Sequence, residues 1–216
     1  MNKVPGSDNW ISANASAFWS NIARYDHVVQ LYEDDEIFLD TLTGFVEDAI
    51  HSDENALLIA TEPHLNAVEK RMARNGMHID KLMLEGQFIP LDVEEIIAEF
   101  MIDGNADESR IKETISSLFI KAGYNKKKFR LSGEIAPTLF AQGHREVATR
   151  VEHLTETFNH ESPVSIFCAY SKNIFCDNAM NFSDAICDEH SKIIAGSEKL
   201  LTQVLYREKN GAKCCC

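Results

Sequence analysis

HVVQLYEDDEIFLDTLTGFVEDAI, residues His27–Ile50, decides how this chain is read. It opens as a short buried strand, His27–Tyr32, turns through a run of acids and continues as an amphipathic helix. In many α/β nucleotide binders a glycine-rich phosphate loop occupies this junction. Here the junction is Tyr32-Glu33-Asp34-Asp35-Glu36. It has no glycine to let backbone N–H groups close on an anion and no lysine to neutralise one, and its four carboxylates would repel a triphosphate. The acids suit a helix start instead. Asp34 or Asp35 can cap it, and Phe38, Leu42, Phe45, Val46 and Ala49 form its apolar stripe. The stretch keeps the scaffold of a nucleotide binder and lacks its chemistry.

Outward from this unit, four more short apolar runs alternate with helical patterns. The strands are Ala56–Ala60, Gln87–Leu91, Phe129–Ser132 and Val164–Cys168. Helices are expected at Asp35–His51, His64–Asn75, Val93–Met101, Asp107–Ala122 and His144–His160, with Gly76 and Gly123 at C-cap positions. This alternation predicts an α/β fold: a mostly parallel central sheet of at least five strands, covered by helices on both faces. Residues 1–24 read as a tail plus a helix at Trp10–Ala23, residues 25–180 as the α/β domain, and residues 209–216 as a disordered Cys-rich tail. Between them, residues 181–208 read as a long C-terminal helix over Phe182–Glu208. Its seam of Ile186, His190, Ile193, Ser197, Leu200 and Val204 steps by four and three. That seam either packs on the domain or presents Ile193, Leu200 and Val204 as a homodimer or partner interface.

The chain of 216 residues is 44% hydrophobic and 25% charged, which suits one globular domain. A net charge of −13 argues against nucleic-acid and anionic-membrane surfaces, which need clustered Lys and Arg. The basic run Lys126-Lys127-Lys128 with Arg130 reads as a solvated loop or strand-edge protection. No apolar run approaches membrane-spanning length and no signal-peptide core is visible, so a cytoplasmic location is expected. The six cysteines form no CxxC pair or disulfide-like framework, and reduced thiols are expected. Cys214–Cys216 read as a reactive tail of no assigned purpose.

With these pieces placed, the chain resembles the MEDS (methanogen/methylotroph, DcmR sensory) domain family. The resemblance rests on His27-Val-Val-Gln-Leu-Tyr-Glu-Asp-Asp, Ala56–Thr61 (ALLIAT) and Phe100-Met101-Ile102-Asp103-Gly104. It continues through Gly133-Glu134-Ile135, Cys168-Ala169-Tyr170 and Ile186-Cys187-Asp188-Glu189-His190, in family order. It implies a RecA/KaiC-like fold without a phosphate loop and a sensory role toward small organic or hydrocarbon-like ligands. Many relatives join the domain to a histidine kinase or a DNA-binding module. Here one helix and a short tail follow the family region, so output is expected through a separate signalling protein, such as a kinase or a transcription regulator.

Ligands of open α/β sheets bind beyond the carboxyl ends of the strands. Tyr32, Glu33, Glu134 and Tyr170 are the candidate ligand-binding residues there. Glu134 reads as a ligand acceptor, a vestigial catalytic carboxylate or a cap on the following segment. Cys187 and His190, three apart on the expected helix, are weak metal candidates, with Cys168, His27 or Glu134 to complete a set; a structural role is preferred. No nucleophile elbow or acid–base pair is visible, and no cofactor is expected. The leading expectation is a non-enzymatic sensory domain. The alternatives are a degenerate RecA-like nucleotide hydrolase and a ligand-free interaction module.

Overall fold

The structure, a computed structural model, describes residues 10–123, 127–161, 164–175, 190–196 and 203–208. The expectations for the extreme N-terminus, Cys187, Leu200 and the terminal cysteines lie outside the described residues.

The chain runs β1 (Ile11–Asn14), α1 (Ala15–Ser20), β2 (His27–Tyr32), α2 (Asp35–His51), β3 (Asn55–Ala60), α3 (Glu62–Arg74), α4 (Ile79–Leu84), β4 (Phe88–Asp92) and α5 (Val93–Ala98). A two-stranded hairpin follows, β5 (Met101–Ile102) and β6 (Asn105–Ala106), then α6 (Glu108–Lys121), β7 (Phe129–Gly133), α7 (Ile135–Ala141) and α8 (Arg145–Glu161). The chain continues with β8 (Ser165–Ser171), a short 3-10 turn, β9 (Lys192–Gly196) and β10 (Gln203–Glu208). One eight-stranded sheet takes the order β1-β10-β9-β2-β8-β7-β3-β4. Its six strands from β9 to β4 are parallel, and β10 and β1 extend it in antiparallel fashion.

The central strands are buried on both faces, so they read as continuous apolar runs. Val29, Leu31, Leu57, Ile59, Leu131, Ile166 and Ile193 pack against α5, α6, α7 and α8. Val28, Leu58, Phe167, Ala169 and Ile194 pack against α1, α2 and α3 on the other face. Asp34 caps α2 by accepting from the Glu36 N–H at 2.8 Å. Gly76 and Gly123, at φ +90° and +97°, terminate α3 and α6 in the left-handed region that glycine enters without penalty.

Three expectations are corrected. Within the expected helix Phe182–Glu208, residues 192–196 and 203–208 are strands. Adjacent Ile193 and Ile194 are buried on opposite faces of the sheet, and Val204 and Tyr206 alternate at period two. Ile193 and Val204 therefore belong to the core and are not free for an interface. The expected helix Trp10–Ala23 is an edge strand followed by α1, because Asn14 caps α1 through the Ala17 N–H at 3.1 Å. Arg130 is no solvated loop residue: it is buried, within 2.9 Å of Asp48 and 2.7 Å of Glu54, and donates to the Trp19 carbonyl. β7 is an interior strand, so the basic run protects no edge. No helix among the described residues is long and apolar enough to cross a membrane.

Candidate functional site

The two ends of the parallel sheet carry different polar clusters. At the carboxyl end, Glu134 follows β7 and opens α7, yet its side chain caps nothing in that helix. It reaches across to the start of α3, accepting from the N–H of its N-cap Thr61 at 3.1 Å and from His64 Nδ1 at 2.7 Å. This corrects the cap reading of Glu134. The bond to Glu134 raises the His64 pKa above its usual value against the opposing effect of burial. Phe38 meets the His64 ring edge-on and stacks on Tyr32, with centroids 5.2 and 4.6 Å away. Burial, then the Glu134 and Asp35 charges, push the Tyr32 phenol up, so it stays neutral. Glu33 is exposed and pairs with Lys172 at 2.8 Å. Tyr32, Glu33 and Glu134 thus share one end of the sheet, and the acids of the junction keep that end negative.

Tyr170 does not join them. Its side chain points to the opposite face and is fully buried, and its hydroxyl donates to Glu152 on α8. Glu152 belongs to a second cluster, at the amino end of β2. There His27 Nε2 lies 3.2 Å from Cys168 Sγ and 3.9 Å from a Glu152 oxygen. Its Nδ1 meets Glu156 at 2.8 Å. His190, just before β9, packs its ring on that of His27, with centroids 3.9 Å apart. Burial, then Glu152 and Glu156, push the Cys168 thiol well above its usual range. The sequence set His190 beside Cys168, His27 or Glu134. The structure gathers the first two with His190 and leaves Glu134 at the other end of the sheet. Glu152 was missed: it is buried on α8 with Ala148 and Asn159 at helical spacing, and that burial comes from how the fold orients α8.

Between the clusters, under α6, α7 and α8, lies a cavity of about 30 Å³. Ile59, Ile115, Leu118, Phe119, Leu131 and Ile166 form its apolar walls. Gly133, Ile135 and Ala136 border it beside Glu134, and Glu152, Thr155 and Cys168 supply its polar lining.

Comparison with known proteins agrees with this architecture. A KaiC-like protein from the hyperthermophilic archaeon Pyrococcus horikoshii OT3 superposes with a TM-score of 0.58 at 12% identity, covering 87% of this chain and 81% of that one. At that identity the likeness is one of fold alone. No curated protein matches the chain. The profile of the methanogen/methylotroph, DcmR sensory domain matches residues 26–186, from just before β2 to beyond β8. The chain belongs to the MEDS family of sensory domains.

Proposed function

We propose that this MEDS domain is a non-enzymatic sensor that holds a small uncharged organic molecule in the cavity beneath α6, α7 and α8 and reports it to a separate signalling protein. The cavity carries the reading. One ordered water needs roughly 10–15 Å³ of such space, so this cavity admits a group of a few heavy atoms. Apolar walls with a few polar groups at one side suit a small molecule with a hydrocarbon body and a polar or halogenated end. The carboxyl-end residues favour a different role. Glu134 is engaged by Thr61 and His64, Glu33 by Lys172, and Tyr32 lies on Phe38. Gly133 and Ile135 flank Glu134 and border the cavity, so an occupant pressing on them would strain the tie from Glu134 to α3. That offers a route from ligand to surface. Nucleotide hydrolysis is disfavoured by the acids at the junction, which oppose a triphosphate.

The test is a panel of small haloalkanes and short alcohols, followed by methyl NMR of Ile59, Ile115 and Ile166. A saturable shift with a member of the panel, lost in a folded Ala136→Leu variant that fills the cavity, is expected. No saturable shift across the panel, or one that Ala136→Leu leaves intact, would overturn the proposal.

A further inference from the structure

The cluster at the amino end of the sheet has the composition and spacing of a metal centre. Its four candidate donors, on His27, Glu152, Cys168 and His190, all lie within 4.8 Å of one another, and all four residues are buried. A tetrahedral zinc-type ion with bonds of about 2.0–2.3 Å sets its donors roughly 3.3–3.6 Å apart. The 3.2 Å from His27 Nε2 to Cys168 Sγ and the 3.9 Å to Glu152 bracket that range. The widest pair needs a closure of about an ångström.

The surroundings orient these donors as well. A carboxylate only accepts, so the contact of Glu156 with His27 Nδ1 fixes the ring proton there and turns the Nε2 lone pair toward Cys168 and Glu152. This is the outer-sphere carboxylate that metal-ligating histidines commonly carry. Glu152 is held in the same manner by the Tyr170 hydroxyl. The mixed imidazole, thiolate and carboxylate set selects a borderline divalent ion over magnesium or calcium, which prefer oxygen alone.

We infer that His27, Glu152, Cys168 and His190 bind one divalent transition-metal ion of zinc type, with Glu156 and Tyr170 as positioning residues. Four protein ligands close the coordination sphere, which makes the centre a structural clasp. The clasp joins β2, α8, β8 and the segment leading into β9, drawn from widely separated parts of the chain. Glu152 and Cys168 also line the ligand cavity, so the centre is tested with metal alone, and its failure would leave the ligand proposal to its own test.

The experiment titrates cobalt(II) into the metal-stripped full chain with Cys214–Cys216 changed to Ser, so that the tail cannot compete. One cobalt per chain is expected, with a thiolate charge-transfer band and the visible bands of a tetrahedral ion. Cys168→Ser should abolish the band, His190→Gln should weaken binding strongly, and Glu156→Gln should weaken it about 10–100-fold. X-ray absorption of the zinc-loaded protein reads the ligand set without any core variant, and one sulfur among four light-atom neighbours is expected. Absence of stoichiometric metal, a charge-transfer band that survives Cys168→Ser, or a zinc shell with no sulfur or several would each overturn the assignment.

Discussion

Replacing Glu134 by Gln tests how the carboxyl ends of β3 and β7 are held together. The carboxylate is buried and receives two donors, the Thr61 N–H at 3.1 Å and His64 Nδ1 at 2.7 Å. An amide keeps one acceptor oxygen and turns an NH₂ toward the other donor. One bond is therefore lost and a donor is set against a donor. A hydrogen bond to a charged group contributes about 1.5–3 kcal/mol, so ~2–3 kcal/mol of destabilisation is expected where His64 is protonated. For a domain of this size that is a fall in Tm of about 4–12 °C. The loss should depend on pH. His64 has a raised pKa in the folded state, so its linked stability is fully present below the unfolded histidine pKa and is lost as pH rises through the folded value. The gap between wild type and Glu134→Gln should accordingly be widest in mildly acidic buffer and narrow toward alkaline pH. Urea unfolding across that range measures it. A gap below about 0.5 kcal/mol, or one that does not change with pH, refutes the tie as drawn.

Two further outcomes are expected. Calorimetry with Mg·ATP should show no saturable binding at millimolar affinity, a threshold of about −4 kcal/mol, because the junction between β2 and α2 is acidic where a phosphate loop would be glycine- and lysine-bearing. Saturable binding lost on changing Glu33 would reinstate the nucleotide reading. Deleting residues 199–216 removes β10, which pairs with both β1 and β9, and should yield a protein that aggregates, as size-exclusion chromatography would show. A truncated chain that elutes as a folded monomer would contradict the sheet order.

The parallel core is legible in sequence because strands such as Ala56–Ala60 are apolar runs bounded by polar residues and followed by helices with clear stripes. β2 and α2 are read to the residue. β9 and β10 are not, because β9 is buried on both faces and has no period of its own, while the alternation of Val204 and Tyr206 in β10 is too short to outweigh the helical seam. Ile193 and Val204 fall on a helical seam by the arithmetic of spacing while β-branching favours the strand. The candidate site divides along similar lines. Tyr32, Glu33 and Glu134 are visible as polar residues at strand ends, whereas His64 joins them through a fold-level contact that nothing in α3 announces. Tyr170 is a strand residue whose face is set by the pleat, and its partner Glu152 comes from a helix that local sequence cannot orient.

β2 is the first strand of the parallel core to be synthesised, and its two neighbours are β8 and β9. Both of its edges therefore stay unpaired until β8 is made, roughly 140 residues later, and one edge until β9 is made, roughly 160 residues later, ~8–30 s at about 5–20 residues per second. Throughout that interval HVVQLY is a strongly β-prone segment with exposed backbone groups, able to pair with another nascent chain. The yield of this protein in a cell should accordingly follow translation speed and the supply of holding chaperones more closely than the stability of the finished sheet. Slowing elongation between the codons of β2 and β9 would lengthen the exposure and lower recovery without changing a single residue.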